Sequence, residues 1–592
     1  AAGIDGFYSH QAEAIDLLRA RRHTVVATGT ASGKSLCYHV PLLEAALDGG
    51  TGLYLAPTRA LGADQLRQVR RYPLDVLVAD TYDSDTPTHV RASIRSHATF
   101  VLTNPDMLHI GILPNHHRWA RFMRRLRFVV VDEAHTLRGI FGSHVALVLR
   151  RLRRLAARYG SDPVFALASA TIGNPADHAS ELVGAEVVAV TDDGAPSGER
   201  TTVFWNPPWT PDQRRRSSNS ETASLMEALV RQQARTLTFS KSRVASELVA
   251  RYTQDRLDPE MAARIAAYRA GYLASERRVI EQGLSDGALL GVSATNALEL
   301  GIDIGDLDAV LLNGFPGTVA SARQQSGRAG RTGQASLAVL VPADDPLDQF
   351  YVSHPEEFFG RPHEAALVNP SNPHILRPHL GCAAYEHPLT EADHELFGPR
   401  TAEVTKEMLA DGDLRERRDR LWWASTRPPA PDVNIRSAGG SPYRIVEAGT
   451  GRLIGSSDAS RAHQELHPGA IYLHQGETFR VTDLILDDRV ALVAQHARNE
   501  YTQAKVDHDL LVLSVDGQGR VGPGGLYSGL VRVTDRVTGY QRKRLPEGTV
   551  IEQHDLELPP QTLVTRAVWY TIDEQLLNDA LEPLGLDMEL VL

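Results

Sequence analysis

The chain has 592 residues, enough for three to five domains of ~150 residues each. Its formal net charge of −11 excludes a uniformly basic nucleic-acid binder, so any surface for a polyanion must be a local groove. Two cysteines exclude a disulfide framework and a four-cysteine zinc site, which favours a reducing cytosol, and no apolar run reaches the ~18–20 residues of a membrane span.

An amphipathic helix is predicted to begin within residues 7–11, FYSHQ, ahead of a buried strand. The Gln11 amide can hydrogen-bond bidentately to an adenine edge, and Tyr8 could stack on the base. The alternative is an ordinary helix start with a surface glutamine. Both residues are therefore candidates for nucleotide contacts.

The strongest single pattern is VATGTASGKS at residues 26–35, where a strand, a glycine turn and a helix start follow one another. Backbone N–H groups and the positive end of the helix dipole form an anion site there. Lys34 would bridge the β- and γ-phosphates of a nucleotide, and the Ser35 hydroxyl would ligate Mg²⁺. Thr28 departs from strict GxxxxGKS spacing, since it stands at the place of the first glycine. The loop residues expected around the phosphates are Thr30, Ala31, Ser32 and Gly33.

Two further predicted strands, at 53–56 and near 101, end in short polar turns. Ligands of open α/β sheets sit at the carboxyl ends of the strands. The turn residues placed to touch a ligand are Thr58, Arg59, Thr103 and Asn104. Either turn alone is more often plain loop chemistry.

Asp132 and Glu133 follow the apolar run FVVV at 128–131, which predicts a buried strand ending in paired carboxylates. At the tip of such a strand, Asp132 would bind Mg²⁺ through water. Glu133 could orient and deprotonate the attacking water. A solvated acidic loop is the weaker alternative.

Arginines are clustered in two stretches, 118–127 and 150–154. A run of charge on a helix is usually a solvated face, and this is the expectation for both stretches. Direct contact with nucleic acid is the alternative.

The strand–helix alternation restarts after a polar connector at 191–222. No second phosphate loop appears, so this lobe is expected to resemble the first without its nucleotide cradle. It carries QQSGRAGR at 324–331, where Arg328 and Arg331, three apart, are expected on one face of a helix. Two such guanidiniums suit insertion at a triphosphate held by the other lobe. An exposed basic helix is the alternative.

Seven motifs in order resemble those of superfamily 2 helicases over residues 8–345: ATGTASGKS, PTRAL, TNPD, DEAH, SAT, ATNALELGID and QQSGRAGR. The segment ALELGIDIGDLDAV, together with YSHQAEA and YRAGY, is similar to sequences of the mitomycin-repair-factor clade of bacterial DNA helicases, which has relatives in yeast and archaea. The resemblance implies two RecA-like lobes, DNA-dependent hydrolysis of ATP, and 3′-to-5′ translocation on single strands.

The resemblance also implies a role for each motif residue. Gln11 would contact adenine, and ATP with Mg²⁺ would be contacted by Lys34, Ser35, Asp132 and Glu133. Arg328 and Arg331 would contact the γ-phosphate, and Asp303 and Gln324 would lie at the cleft between the lobes. The nucleic acid would be contacted by Thr58, Arg59, Thr103, Asn104, Ser242, Arg243 and Thr295. Coupling of hydrolysis to lobe closure would use His135, Ser169 and Thr171.

Beyond residue 369 the alternation stops, and three short helices with a strand at Trp422–Trp423 predict a winged helix, which the resemblance also implies. Residues 443–540 read as short alternating segments with glycine turns, which predicts a β-rich domain in the form of a small barrel. Four side chains invite a zinc site, namely His374, His379, Cys382 and His387. Their irregular spacing and single thiol argue against it, so no zinc is expected. The clade usually continues into a domain with four metal-binding cysteines, and we favour truncation over loss as the reason for their absence.

The sequence thus predicts an α/β chain of two RecA-like P-loop NTPase lobes, a winged-helix domain and a β-rich C-terminal domain. The expected boundaries are 1–192, 193–366, 367–437 and 438–592. The expected protein is an ATP- and Mg²⁺-dependent DNA helicase, a monomer of the bacterial cytosol or nucleoid, with a role in DNA repair. It would act on single-stranded DNA and on DNA with a 3′ single-stranded tail. An RNA helicase, a duplex DNA translocase and an ATP-switched clamp with poor turnover are the alternatives.

Overall fold

The computed structural model describes residues 6–30, 32–196, 198–211, 215–300, 307–330, 334–361, 363–436, 442–496, 500–522, 524–545, 549–573 and 577–578. The chain divides into two compact units, Ala1–Ala270 with Ala274–Ala438, and Gly271–Leu273 with Gly439–Leu592. None of the described helices has the length and apolar character needed to cross a membrane.

The first lobe alternates strands and helices. Its strands are β1 (Thr24–Ala27), β2 (Thr51–Leu55), β3 (Ala79–Thr81), β4 (Phe100–Thr103), β5 (Leu126–Val131), β6 (Val164–Ser169) and β7 (Val188–Val190). Its helices are α1 (Ser9–Arg19), α2 (Lys34–Leu47), α3 (Arg59–Val69), α4 (Thr88–His97), α5 (Pro105–Met107), α6 (Ala120–Arg124), α7 (Gly139–Arg158) and α8 (Pro175–Val183).

These strands form one parallel sheet in the order β3-β4-β2-β5-β6-β1-β7. Its central strands are buried along most of their length, as expected for a parallel sheet covered by helices on both faces. Because β1 and β5 flank β6, the segments that follow these three strands meet at one edge of the sheet. This edge holds the candidate nucleotide site.

The second lobe repeats the alternation. Its strands are β8 (Arg200–Phe204), β9 (Thr236–Ser240), β10 (Ile265–Tyr268), β11 (Gly291–Ala294), β12 (Ala309–Asn313) and β13 (Ser336–Val341). Its helices are α9 (Ser218–Arg231), α10 (Arg243–Gln254), α11 (Pro259–Ala262), α12 (Ala274–Ser285), α13 (Val319–Ser326), α14 (Pro346–Ser353) and α15 (Pro355–Gly360). The sheet is parallel, in the order β10-β11-β9-β12-β13-β8.

A small helical domain follows, with α16 (Pro373–Glu386), α17 (Asp393–Phe397), α18 (Thr401–Ala410) and a hairpin of β14 (Leu414–Glu416) and β15 (Leu421–Trp423). It packs on α7, whose Leu147 lies in one apolar cluster with Leu376 and Leu380. Arg150 and Arg151 on α7 are buried beneath it. The expectation of a solvated arginine face is wrong at these two positions, because the helical domain covers that face of α7.

The second unit contains two sheets. Its elements are β16 (Tyr443–Glu447), β17 (Leu453–Ser457), α19 (Ala459–Glu465), β18 (Ile471–His474), β19 (Glu477–Ile485), β20 (Val490–Gln495), β21 (Glu500–Val521), β22 (Gly524–Arg544), β23 (Val550–Asp555) and β24 (Gln561–Thr571). The first sheet has the order β17-β16-β20-β19-β18, and the second is built on β22, which pairs with β21, β23 and β24. In the described residues both sheets are open, so the small barrel expected for this domain is wrong.

The predicted domain boundaries at 192, 366 and 437 stay predictions. The first lies between β7 and β8, the second between α15 and α16, and the third between β15 and β16. Among the described residues, no group of three or more histidine, cysteine or acidic side chains could hold a metal ion. Both cysteines, Cys37 and Cys382, are buried free thiols.

Candidate nucleotide and nucleic-acid sites

Gln11 supports the phosphate loop between β1 and α2. Its Nε2 donates to the Gly33 carbonyl oxygen at 3.1 Å, and its Oε1 accepts from the Tyr8 N–H at 3.0 Å. Gly33 has φ +78°, and a Cβ there would lie 2.6 Å from that Nε2, so a side chain is excluded. Tyr8 is exposed next to the loop, whereas the loop residue Ala31 lies outside the described residues.

Lys34, the first residue of α2, points back into the loop. Its Nζ donates to the carbonyl oxygens of Thr28 at 3.1 Å and Gly29 at 2.5 Å. Burial lowers the pKa of Lys34, while the negative charges of Glu133 and Asp132 oppose this effect. The ammonium group is therefore at the centre of the loop, where it donates to neutral carbonyl oxygens that charged phosphate oxygens can replace.

Two contacts of the loop were missed in the sequence. His10 Nε2 lies 3.0 Å from the Ser32 carbonyl oxygen, and Asp193 Oδ2 accepts from the Gly29 N–H at 3.1 Å. The Thr28 hydroxyl, at the place of the usual glycine, lies 2.7 Å from the Ser32 hydroxyl. His10 adjoins Gln11 in sequence and could have been found, whereas Asp193 comes from a distant polar stretch without a pattern.

Asp132 is the centre of a buried hydrogen-bond cluster at the end of β5. Its Oδ2 accepts from the Tyr54 hydroxyl and lies 3.3 Å from the Tyr38 hydroxyl, and its Oδ1 accepts from the Glu133 N–H at 2.8 Å. The Tyr38 hydroxyl is also 3.3 Å from Ser35 Oγ, so Ser35 and Asp132 both lie within hydrogen-bond distance of one tyrosine hydroxyl. Such oxygen donors suit Mg²⁺. Burial raises the pKa of Asp132, and the charge of Glu133 adds to the increase.

Among the residues that the structure describes, two hydrogen bonds join the first lobe to the second across this edge. The Thr30 hydroxyl donates to the Gly327 carbonyl oxygen at 3.2 Å. His135 Nε2 lies 3.1 Å from Gln324 Oε1 on α13. Burial lowers the pKa of His135 to about 4, so its ring is neutral near pH 7. The phosphate loop and the segment after β5 thus each contact the second lobe directly.

The other ring nitrogen of His135 contacts the segment after β6. Its Nδ1 accepts from the Ala170 N–H at 3.1 Å, which leaves Nε2 as the donor to Gln324. The Ser169 hydroxyl donates to the Ala170 carbonyl oxygen at 2.7 Å, and Thr171 follows directly. The three residues predicted to couple hydrolysis to closure are therefore adjacent in space.

The predicted helix with two arginines differs from the structure. α13 ends at Ser326, because Gly327 and Gly330 interrupt it, so Arg328 lies beyond the helix. The Arg328 guanidinium is buried, and its Nε donates to the Glu299 carbonyl oxygen at 3.0 Å. Arg331 and Asp303 lie outside the described residues.

The linker between α15 and α16, residues 363–369, contacts both lobes. The Glu364 carboxylate accepts from the N–H groups of the first two residues of α13, at 2.7 and 3.1 Å. The Glu364 carbonyl oxygen accepts from the Gly173 N–H at 3.1 Å. Ala366 exchanges two hydrogen bonds with the Asn174 side chain, at 2.9 and 3.1 Å. No sequence pattern pointed to this linker.

Several predicted nucleic-acid residues are helix N-caps. Thr58 accepts from the Leu61 N–H, Asn104 from the Met107 N–H and Ser242 from the Ala245 N–H, at 3.4, 2.8 and 3.0 Å. Such caps orient the N-terminal N–H groups of their helices. Arg243 is the first residue of α10, and Thr103 and Thr295 are buried at the ends of β4 and β11.

A groove of about 470 Å³ brings some of these residues together. Its lining residues are Pro57, Thr58, Arg59, Ser84, Asn104, Asp106, Met107, Ile110, Arg277 and Arg436. Thr58, Arg59 and Asn104 thus share one surface, while Ser242, Arg243 and Thr295 of the second lobe lie elsewhere. The groove is lined by both lobes and by the end of the helical domain.

Family comparisons match successive parts of the chain. The DEAD/DEAH box helicase family matches residues 8–178, and the helicase conserved C-terminal domain matches residues 220–333. The winged-helix domain of the ATP-dependent helicase HRQ1 matches residues 368–438. These matches confirm the predicted order of two RecA-like lobes and a winged helix.

Individual proteins match over nearly the whole chain. The Bacillus subtilis (strain 168) protein "Uncharacterized ATP-dependent helicase YprA" is 40% identical over 605 residues, covering 100% of this chain and 80% of that protein. Schizosaccharomyces pombe "ATP-dependent helicase hrq1" is 35% identical, covering 96% of this chain and 56% of that protein. The crystal structure of the DUF1998 helicase MrfA bound to DNA matches with a TM-score of 0.88 at 40% identity, covering 98% of this chain and 80% of that one. The crystal structure of MrfA bound to DNA and AMPPNP matches with a TM-score of 0.86 at 39% identity, covering 95% of this chain and 78% of that one.

Proposed function

The chain belongs to the superfamily 2 ATP-dependent helicases of the YprA and MrfA type, and we propose that it moves 3′ to 5′ along single-stranded DNA and unwinds duplexes. The observation that carries the proposal is the pair of hydrogen bonds from Thr30 and His135 to the second lobe. They link the phosphate loop and the DEAH segment to α13, so nucleotide occupancy can bias how the two lobes meet.

The residues present suit ATP with Mg²⁺. Lys34 is aimed at the loop centre, and Ser35 and Asp132 supply oxygen atoms that each lie 3.3 Å from the Tyr38 hydroxyl. ATP and Mg²⁺ would supply a γ-phosphoryl group that water can attack. Glu133 is next to Asp132 and is proposed to orient that water and accept its proton. Arg328 and Arg331 are proposed to stabilise the γ-phosphate charge from the second lobe, and Gln324 to align α13 with the cleft.

DNA is favoured as the track because the MrfA structures contain DNA, and a 3′ single-stranded tail is the expected loading site. Thr58, Arg59 and Asn104 line a groove that can hold a sugar–phosphate backbone. Ser242, Arg243 and Thr295 lie outside this groove and are proposed to contact the strand separately on the second lobe. Backbone contacts carry no base information, so little sequence preference is expected. A monomer suffices, since both lobes of one chain complete the site, and a role in DNA repair is consistent with the clade.

Steady-state ATPase assays test this function. The wild-type chain should be stimulated strongly by single-stranded DNA and much less by duplex DNA or single-stranded RNA. Lys34→Ala should abolish hydrolysis in every condition, because the loop loses its one ammonium group. Stimulation by single-stranded RNA or duplex DNA would identify that nucleic acid as the substrate instead of single-stranded DNA. No stimulation by any nucleic acid would favour an ATP-switched clamp. Unwinding of duplexes with a 3′ tail, but not of those with a 5′ tail, would establish the direction.

A further inference from the structure

Arg436, at the end of the winged-helix domain, reaches into the groove of the first lobe. Its Nε donates to Asp106 Oδ1 and Oδ2 at 2.9 and 2.8 Å, and its Nη2 lies 2.7 Å from Asp106 Oδ2. Nη2 also donates to the Pro57 carbonyl oxygen at 3.0 Å, and the guanidinium lies 4.9 Å from the centre of the Phe141 ring. Phe141 and Pro57 therefore hold the guanidinium in place independently of Asp106.

The Asp106–Arg436 pair has the geometry in which arginine binds a phosphate. A guanidinium group donates to a carboxylate or a phosphate in the same way, through parallel N–H···O bonds. The pair is partly exposed, with side-chain exposures of 47% for Arg436 and 35% for Asp106. Exposed ion pairs contribute little to stability, so Asp106 can leave the guanidinium without unfolding the groove.

A second arginine in the groove is held in the same manner. Arg59 Nη1 donates to Asp85 Oδ1 at 2.6 Å and to the Ser84 hydroxyl at 3.1 Å. Two guanidiniums that line the proposed track thus each have a carboxylate partner from the first lobe. A phosphodiester entering beside Thr58 and Asn104 would meet Asp106 as a like charge, which raises the free energy of binding until the carboxylate moves away.

We propose that Arg436 is a phosphate-binding residue of the nucleic-acid track and that Asp106 competes with a backbone phosphate for its guanidinium. The inference rests on the proposed single-stranded track. Under this proposal, the winged-helix domain contributes directly to the binding of single-stranded DNA by the first lobe. Asp106, in the TNPD motif, is then a residue that weakens binding.

Binding of a fluorescein-labelled oligo(dT) at several salt concentrations tests the competition. Arg436→Ala should weaken binding about tenfold and reduce the slope of log affinity against log salt by about 0.7, the value for one phosphate on a single strand. Asp106→Asn keeps the side-chain size but removes the competing charge, and should tighten binding about three- to tenfold. Arg436→Lys should keep the salt slope and recover only part of the affinity, because lysine lacks the fork.

An exposed pair outside the groove provides the matched control. Arg400 and Glu403 on the winged-helix domain lie 2.7 Å apart and have similar exposure. Arg400→Ala and Glu403→Gln make the same changes in net charge and should leave affinity and salt slope unchanged. Thermal unfolding of each variant identifies any loss of fold. If Arg436→Ala does not fold, the affinities of Asp106→Asn and Arg436→Lys test whether Asp106 competes with a phosphate for Arg436.

Two results would overturn the proposal. Weaker or unchanged binding by Asp106→Asn would mean that the ion pair only stabilises the loops around residues 57 and 106. An unchanged salt slope in Arg436→Ala would show that Arg436 does not contact a phosphate. If wild type binds oligo(dT) and either result is found, only the present proposal fails. If wild type itself does not bind oligo(dT), the proposed function fails, and this inference fails with it.

Discussion

At the scale of single residues, the charge state of the Asp132 carboxyl group depends on hydrogen bonds from its neighbours. It is buried beside Glu133, and both facts favour the protonated carboxyl that cannot hold Mg²⁺. The Tyr54 hydroxyl and the Glu133 N–H donate to its two oxygens and stabilise the charged form. Tyr54 is itself fully buried on β2, so this donor is fixed in place.

Tyr54→Phe removes this hydroxyl and almost nothing else. We expect the Mg²⁺ concentration for half-maximal ATPase activity to rise by about tenfold, since partners of a metal ligand typically contribute 10–100-fold in affinity or activity. Mg²⁺ titrations of the DNA-stimulated ATPase measure it. Tyr72→Phe, which removes a hydroxyl 3.2 Å from His39, is the control and should leave the titration unchanged. An unchanged titration for Tyr54→Phe would mean that Asp132 is oriented without it.

At the scale of elements, the winged helix is attached to α7 through a buried charged network. Arg151 is paired with Glu386 of α16, and its Nη1 donates to the Nδ1 atoms of His109 and His379 at 2.8 and 3.3 Å. His379 Nε2 lies 2.9 Å from His144 Nδ1. These bonds require neutral rings, in agreement with pKa values that burial and Arg151 lower, to about 3 for His109 and well below 6.5 for His379.

The network predicts that the fold is destabilised by mild acid. In the unfolded chain these histidines bind protons near pH 6.5, while in the folded chain they remain neutral, so their contribution to stability is constant well above that pH and falls below it. His109 and His379 should each contribute a decrease of about 1.4 kcal/mol per pH unit. Urea unfolding between about pH 7 and pH 5 measures the slope.

His379→Gln should make that slope shallower, whatever its effect on absolute stability. His89→Gln, at an exposed position on α4, is the control and should leave the slope at the wild-type value. Equal slopes in wild type and His379→Gln would show that His379 does not stay neutral in the folded chain.

The sequence predicted the parts of the site that depend on local pattern. Strand-then-turn signals placed Lys34, Asp132 and His135 correctly at one sheet edge, because consecutive residues fix where a parallel strand ends. It missed Tyr54, whose contact with Asp132 depends on β2 pairing beside β5. It also misjudged Arg151, since charge on a helix reads as solvated until another domain covers it. Contacts between distant segments leave no local signal.

At the scale of the whole molecule, hydrogen bonds join the two lobes at the edge that holds the candidate nucleotide site. His135 and Gln324 form one of these hydrogen bonds, Thr30 and Gly327 form another, and all four groups are neutral. A nucleotide bound between the lobes, as proposed, would therefore favour closure. A change that blocks hydrolysis and one that removes a lobe contact should have opposite effects on closure.

Glu133→Gln should lower turnover by on the order of 10²–10⁴-fold and keep the lobes closed with ATP bound, because the proposed base is lost while binding is retained. Gln324→Ala should leave them open even with a non-hydrolysable analogue. Energy transfer between dyes on cysteines introduced at His89 and Glu260, both exposed, reports closure, and the buried native thiols should not label.

Gln282→Ala, an exposed glutamine on α12, is the matched control and should close like wild type. Full-rate hydrolysis by Glu133→Gln would exclude it as the base. Normal closure by Gln324→Ala would show that the His135 contact is dispensable.

The linker at 363–369 sets a limit on how the cleft can open. Glu364 is bonded to α13 of the second lobe, and Ala366, two residues later, is bonded to Asn174 of the first. An extended chain spans at most about 3.6 Å per residue, so these anchor points can separate by only about 7 Å before a bond breaks. The linker therefore restrains the distance between the two lobes at this point. We expect opening to be a rotation about the linker, with small displacements beside it and larger displacements farther from it.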